Sequence, residues 1–221
     1  MSIHYLQTKV NCMPVKAHFG FYAILTAPLR GYEYCTKVLV DAEVPFVQLR
    51  MKDVSPGDIL PTAQLMRRIT LDSNTKFIVN DYPELARDCG ADGVHIGQDD
   101  MPIHVVRRIV GPDAIIGLST HSPDQTKAAC ALGPDYIGIG PVFPTPTKRN
   151  PDPVIGIDGM RRMLAAATVP AVVIGGIDLS NVQQVLDAGA KNFCMVRQFT
   201  QSEEPEKTVA EILRLSRTAK C

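Results

Sequence analysis

Short apolar runs bounded by turn residues alternate with longer amphipathic stretches along almost the whole chain, and this alternation predicts repeated βα units. Strands are predicted over Phe21 to Thr26, Phe46 to Arg50, Phe77 to Asn80, Gly93 to Ile96, Ala114 to Leu118, Tyr136 to Gly140, Ala171 to Ile174 and Phe193 to Val196. Helices are predicted between them over Tyr32 to Ala42, Pro56 to Thr70, Pro83 to Cys89, Ile103 to Val110, Pro123 to Leu132, Gly159 to Ala167 and Leu179 to Ala188, with a last one over Glu203 to Arg217. Caps punctuate the pattern: Ser55 precedes Pro56, and Ser122 precedes Pro123 with Gln125 three places on. Three helices run into a glycine before the next strand, at Gly90, Gly133 and Gly189.

Eight such units in about 200 residues fit a single (β/α)8 TIM barrel, an α/β fold smaller here than the typical ~250 residues. A doubly wound open sheet is the alternative that periodicity leaves open. Residues 1–20 form a short N-terminal extension, with weak periodicity to about residue 18, and residues 21–221 form the barrel domain.

Composition narrows the function. With 45% apolar residues among 221, the chain buries one substantial core. Lys+Arg and Asp+Glu both number 23, so no overall field favours nucleic acid or an anionic membrane, and affinity for anions must be local. The six cysteines show neither a C-x-x-C pair nor metal spacing, which suits reduced thiols in a cytoplasmic protein. No apolar run approaches the roughly 20 residues of a bilayer span. The pairs Arg67-Arg68, Arg107-Arg108 and Arg161-Arg162 fall on different outer helices and read as solvated faces.

In a barrel, chemistry collects where strands end. The second strand ends in Gln48-Leu49-Arg50-Met51-Lys52, whose period-two alternation turns Gln48, Arg50 and Lys52 to one side. Asn80-Asp81 follows the third strand, Asp99-Asp100 the fourth, Ser119-Thr120-His121 the fifth and Gly175-Gly176 the seventh, while Val196-Arg197 ends the eighth. The sixth runs into Gly140-Pro141-Val142-Phe143-Pro144-Thr145-Pro146-Thr147-Lys148, which offers glycines, hydroxyls and a lysine to an anion.

Each feature has a plainer reading. Asp81, three residues before Glu84, has capping-box spacing, and Asp100 is placed to cap the fourth helix. Asn80 suits a turn, Ser119 suits a backbone contact, and Gly175-Gly176 suits either a tight loop or a phosphate-binding helix start. His95 and His121 are more often structural than acid-base groups. Taken together, Arg50, Lys52 and Lys148 supply positive charge, and Asp81 and Asp100 supply hard oxygens of the kind that hold Mg2+ with a diphosphate. Gly176, Arg197, Thr145 and Thr147 suit a second, smaller phosphate.

These segments, with Asp92-Gly93-Val94-His95-Ile96-Gly97-Gln98-Asp99-Asp100 and Asp135-Tyr136-Ile137-Gly138-Ile139-Gly140, resemble the signature blocks of the thiamine-phosphate synthase family over about residues 21 to 215. The resemblance implies a barrel that joins hydroxymethylpyrimidine diphosphate to a thiazole phosphate and releases pyrophosphate. It also implies that Gln48, Arg50, Lys52, Asn80, Ser119 and Lys148 contact the pyrimidine diphosphate, with Lys52, Ser119 and Lys148 acting in catalysis. Asp81 and Asp100 become the Mg2+ ligands, with Asp100 preferred to Asp99 by the motif, and Thr145, Thr147, Gly176, Val196 and Arg197 the thiazole-phosphate site. Arg197 departs from the serine many members carry there. The partners implied are these small molecules, without nucleic acid or membrane. A thiazole tautomerase of the same superfamily and a silent phosphate-binding barrel are the competing functions, and retention of Lys52, Asp81, Asp100 and Lys148 argues against both.

Overall fold

Parallel pairing in sequence order, from β1 to β8, is the arrangement that the computed structural model gives for this chain; it describes residues 15–147 and 152–217. The strands are β1 (Tyr22–Leu25), β2 (Phe46–Leu49), β3 (Lys76–Asn80), β4 (Gly93–Ile96), β5 (Ile115–Thr120), β6 (Tyr136–Ile139), β7 (Ala171–Val173) and β8 (Asn192–Phe193). Helices α1 (Tyr32–Asp41), α2 (Pro56–Thr70), α3 (Pro83–Cys89), α4 (Ile103–Val110), α5 (Pro123–Ala131), α6 (Gly156–Ala166) and α7 (Val182–Asp187) alternate with them. After β8 come α8 (Val196–Thr200) and α9 (Pro205–Ser216). A parallel bridge between Phe21 and Phe193 and a bond from Phe193 N–H to the Gly20 carbonyl at 3.0 Å join the last strand to the first, which closes the barrel and excludes the open sheet.

Period-two alternation sorts the strand residues into two cores. Phe21, Ala23, Leu25, Val47, Leu49, Phe77, Val79 and their equivalents face outward and pack under the helices. Tyr22, Ile24, Phe46, Ile78, Ile115, Tyr136, Val172 and Cys194 face inward. Branched aliphatics usually dominate a barrel interior. Here two tyrosines stand among them, and Tyr22 stacks on Phe46 with ring centroids 5.4 Å apart.

The predicted caps form: Ser55 Oγ accepts from Asp58 N–H at 3.3 Å and Ser122 Oγ from Gln125 N–H at 3.1 Å. The two predicted for Asp81 and Asp100 do not, because α3 starts after Tyr82 and α4 after Pro102, neither with a side-chain cap. Two of the arginine pairs also differ from expectation. Arg67 donates to Asp92 at 3.0 Å and Arg107 to Asp135 at 2.9 Å, and each aspartate also accepts a backbone N–H from the preceding strand, from Phe77 and Ile116 respectively. The joints before β4 and β6 are therefore pinned by one half-buried guanidinium each.

The eighth strand is shorter than predicted, and Val196 and Arg197 begin α8 instead of ending β8. At the opposite end of the barrel, Val15 and Phe19 pack against the inward cluster, with the Phe19 and Phe46 rings 4.7 Å apart. Asn192 ties this segment down. Its Oδ1 accepts from Phe19 and Gly20 N–H at 2.7 and 3.0 Å, and its Nδ2 donates to the Ala17 and Ala171 carbonyls at 3.1 and 3.0 Å. Among the described residues, no helix is long and apolar enough to cross a membrane.

Candidate active site

Where the strands end, a cavity of about 580 Å3 opens, within the range of small-molecule sites. Of the residues predicted from sequence, Gln48, Arg50, Asn80 and Ser119 line it from β2, β3 and β5. Thr145, Thr147, Gly176, Val196 and Arg197 line it from the segments after β6, β7 and β8. Eight strands of one register bring these distant positions to one mouth.

The Arg50 guanidinium enters the cavity without a hydrogen bond to any described residue, while its backbone N–H donates to the Leu25 carbonyl at 2.9 Å. Burial lowers its pKa from the ordinary arginine value, and Asp81 and Asp53 oppose that shift. A guanidinium stays protonated under such a shift, so the cavity keeps a half-buried cation without a fixed partner.

Lys52, Asp81 and Asp100 stand beside the cavity instead of lining it. Lys52 Nζ pairs with Asp81 Oδ2. Asp81 adopts φ 67°, a left-handed backbone uncommon outside glycine, and its N–H is held by the His95 carbonyl at 2.8 Å. Asp100 Oδ2 accepts from Gly97 N–H at 2.6 Å. The two carboxylates follow adjacent strands, β3 and β4, and each keeps its second oxygen free of hydrogen bonds to described residues. Two such hard oxygen donors, completed by water and a diphosphate, are a set that suits Mg2+. No cluster of three or more His, Cys, Asp or Glu suited to a metal occurs among the described residues. Lys148 lies outside the described residues.

The anion loop after β6 is braced by the one after β7. Val142 and Phe143 N–H donate to the Ile174 and Gly175 carbonyls at 3.0 and 2.9 Å. Glycine is required at this contact: a Cβ on Gly175 would sit 2.4 Å from Pro141 Cα, and one on Gly176 2.5 Å from the Pro144 carbonyl oxygen. Both glycines also have positive φ, 101° and 64°. They do not open a helix, since α7 begins only at Val182, but form a tight loop that lines the cavity. Within the braced loop, Thr145 Oγ1 accepts from Thr147 N–H at 3.3 Å.

Sequence reasoning set aside the histidines and missed the tyrosines. His95 Nε2 lies 2.9 Å from Ser119 Oγ and its Nδ1 3.0 Å from Tyr136 Oη, while Tyr136 meets Tyr22 and Tyr22 meets Gln48. His121 Nδ1 faces the Gly140 carbonyl at 2.6 Å. The only sequence signal for the interior contacts is Gly117, where a Cβ would approach Tyr136 Oη and His95 Nδ1 to 2.4 Å.

The sequence profile of thiamine monophosphate synthase matches residues 22–199, which spans every strand and all of the cavity lining but Gln201 and Ser202. The chain belongs to the thiamine monophosphate synthase family. It is thus a transferase of thiamine biosynthesis. A thiamine-phosphate synthase from Gloeobacter violaceus is 44% identical over 175 residues, 79% of this chain but 51% of its own length. One from Lawsonia intracellularis is 39% identical over 176 residues, 80% of this chain and 81% of its own. Among solved structures, thiamine phosphate pyrophosphorylase from Pyrococcus furiosus superposes with a TM-score of 0.83 at 28% identity, covering 92% of this chain and 98% of that one.

Proposed function

We propose that this thiamine monophosphate synthase family member condenses 4-amino-2-methyl-5-hydroxymethylpyrimidine diphosphate with a thiazole phosphate, giving thiamine phosphate and pyrophosphate, in the cytoplasm. One observation carries the proposal: a single cavity is lined on one side by Gln48, Arg50, Asn80 and Ser119 and on the other by Thr145, Thr147, Gly176, Val196 and Arg197. The first set suits a pyrimidine diphosphate and the second a smaller phosphate, so the two reacting atoms meet between them.

Charge dictates the chemistry of these residues. Breaking the C–O bond leaves a pyrimidinylmethyl cation and puts growing negative charge on the departing pyrophosphate. Arg50, Lys52 and Lys148 offset that charge, and Ser119 donates a hydrogen bond to it. Asp81 and Asp100 would hold Mg2+, which when bound supplies further positive charge to the leaving diphosphate. The thiazole nitrogen attacks with a lone pair it already has. It needs orientation by Thr145, Thr147 and the Gly176 and Val196 backbone rather than a base, and Arg197 adds a cation for its phosphate.

Incubation with both substrates, in Mg2+ or in EDTA, tests this. Thiamine phosphate and pyrophosphate should appear in equal amounts, and only with the metal. Absence of product in both tubes would remove the function, and equal product in both would remove the metal.

A further inference from the structure

Gln48 on β2 and Ser119 on β5 stand on opposite arcs of the barrel, yet an unbroken line of hydrogen bonds crosses the interior between them. Gln48 Nε2 donates to Tyr22 Oη at 3.0 Å, and the Tyr22 and Tyr136 hydroxyls are 2.8 Å apart. Tyr136 Oη is 3.0 Å from His95 Nδ1, and His95 Nε2 is 2.9 Å from Ser119 Oγ. Space has been cleared for this line, because any side chain larger than glycine at position 117 would collide with both Tyr136 and His95. A strand glycine is unfavourable for conformational entropy, so its presence at this contact has a packing cause.

Each phenol has one proton to give, and so does a neutral imidazole. Burial raises the pKa of both tyrosines, which keeps those protons in place. With one proton per link, these four bonds run head to tail in one of two senses. In the first, Gln48 donates to Tyr22, Tyr22 to Tyr136 and Tyr136 to His95 Nδ1, which leaves the imidazole proton on Nε2, directed at Ser119 Oγ. Ser119 then keeps its own proton for a ligand, and Gln48 faces the cavity with its carbonyl oxygen. In the second, the carboxamide turns over, every bond reverses, and His95 consumes the Ser119 proton. The observed Gln48 Nε2 contact belongs to the first sense.

We propose that Tyr22, Tyr136 and His95 are positioning residues that couple the hydrogen-bonding sense of Gln48 to that of Ser119, so that an N–H donor on the pyrimidine at Gln48 is what makes Ser119 a proton donor to the departing diphosphate. The inference rests on the substrate placement given under Proposed function. The exocyclic amine is the only N–H donor of the neutral aminopyrimidine, whose ring nitrogens accept, so the Gln48 carbonyl selects it. An oxo group in its place forces the second sense and withdraws the Ser119 hydrogen from the diphosphate oxygens. Ring identity is thereby converted into rate, on the far side of the barrel.

Two measurements decide it. In 15N-resolved NMR of the ligand-free protein, with the His95 signals assigned by their loss in His95→Asn, the ring should be neutral with its proton on Nε2; a proton on Nδ1, or on both nitrogens, overturns the proposal. The second is the ratio of kcat/KM for the amino- and oxo-pyrimidine diphosphates in the wild type and in Tyr22→Phe, a variant that keeps the ring and removes the linking hydroxyl. The intrinsic reactivity of the two substrates cancels between proteins, and the ratio should fall by about tenfold or more, chiefly through kcat for the amino substrate. An unchanged ratio in a folded, active Tyr22→Phe overturns the coupling and leaves the function standing. No thiamine phosphate from the wild-type protein overturns the function and the coupling together, whatever tautomer NMR finds.

Discussion

Lys52 and Asp81 hold each other across the ends of β2 and β3, so a cation suited to a diphosphate is bound to a carboxylate suited to its metal. The lysine is about half exposed, at 48%, and the aspartate largely covered, at 16%. Asp81 is the fixed partner, anchored through its N–H to the His95 carbonyl, and Lys52 is the one able to leave. A cation arriving at Asp81 would compete with Lys52 and release it toward an anion.

Lys52→Met should therefore tighten Mg2+ binding to the protein without substrates by up to roughly fivefold, the scale of a partly exposed ion pair. Its turnover should fall at the same time. Calorimetric titration with Mg2+ gives the first quantity, and weaker or unchanged affinity in the variant would show that Lys52 does not guard the site.

Gly176→Ala should damage the anion loop. Its φ of 64° and the 2.5 Å approach of an added Cβ to the Pro144 carbonyl oxygen force the loops after β6 and β7 apart. A cost of about 1–3 kcal/mol is expected in urea denaturation, with a rise in KM for the thiazole phosphate larger than that for the pyrimidine diphosphate. An equal rise for both substrates would contradict a division of the cavity into two sides.

Asn192→Ala acts at the other end of the barrel. Its buried side chain serves four backbone groups, and their loss should destabilise the fold by about 2–4 kcal/mol. Below its melting temperature the variant should keep kcat/KM within about twofold of wild type, because none of those groups reaches the cavity. Thermal denaturation and steady-state kinetics on one preparation separate the two effects.

Alkaline pH tests the buried phenols. Burial raises the pKa of Tyr22 and Tyr136 above the ordinary 10.0. Above about pH 10 the unfolded chain releases phenol protons that the folded barrel retains, so folding stability is complete below that pH and declines as pH rises. In Tyr22→Phe the decline should be shallower by about 1 kcal/mol between pH 10 and 11, approaching one proton's worth of about 1.4 kcal/mol per pH unit above that. Parallel curves for the two proteins between pH 10 and 11 would mean that the Tyr22 hydroxyl is not withheld from water.

The architecture was legible because it is repetitive. Helices α2, α3 and α4 have the predicted bounds, although of their predicted caps only Ser55 before α2 forms. Gln48 and Arg50 reach the mouth because β2 alternates as written. Asp81 misled at the local level: capping-box spacing pointed to α3, but its left-handed backbone turns it to Lys52, a partner 29 positions away. Arg67 and Arg107 looked solvated because their aspartates lie 25 and 28 residues on, beyond any helical spacing. Tyr22 and Tyr136 read as ordinary strand hydrophobics, since a phenol's polar tip shows in sequence only when its partner is near, and theirs is 114 positions off. The end of β8 and the whole of α8 were missed because the apolar run from Phe193 to Val196 carries no turn residue to mark where one becomes the other.

Phe19 and Val15 stop the lower end of the barrel, where a hollow stave would otherwise stay open to solvent. Among the described residues, the cavity that Gln48 lines opens where the strands end, with Thr145 and Thr147 of the braced loop in its wall. A vessel of that shape is filled from the bottom and emptied from the top. Under the proposed function this shape predicts that the pyrimidine diphosphate binds before the thiazole phosphate, an order that steady-state inhibition patterns would show.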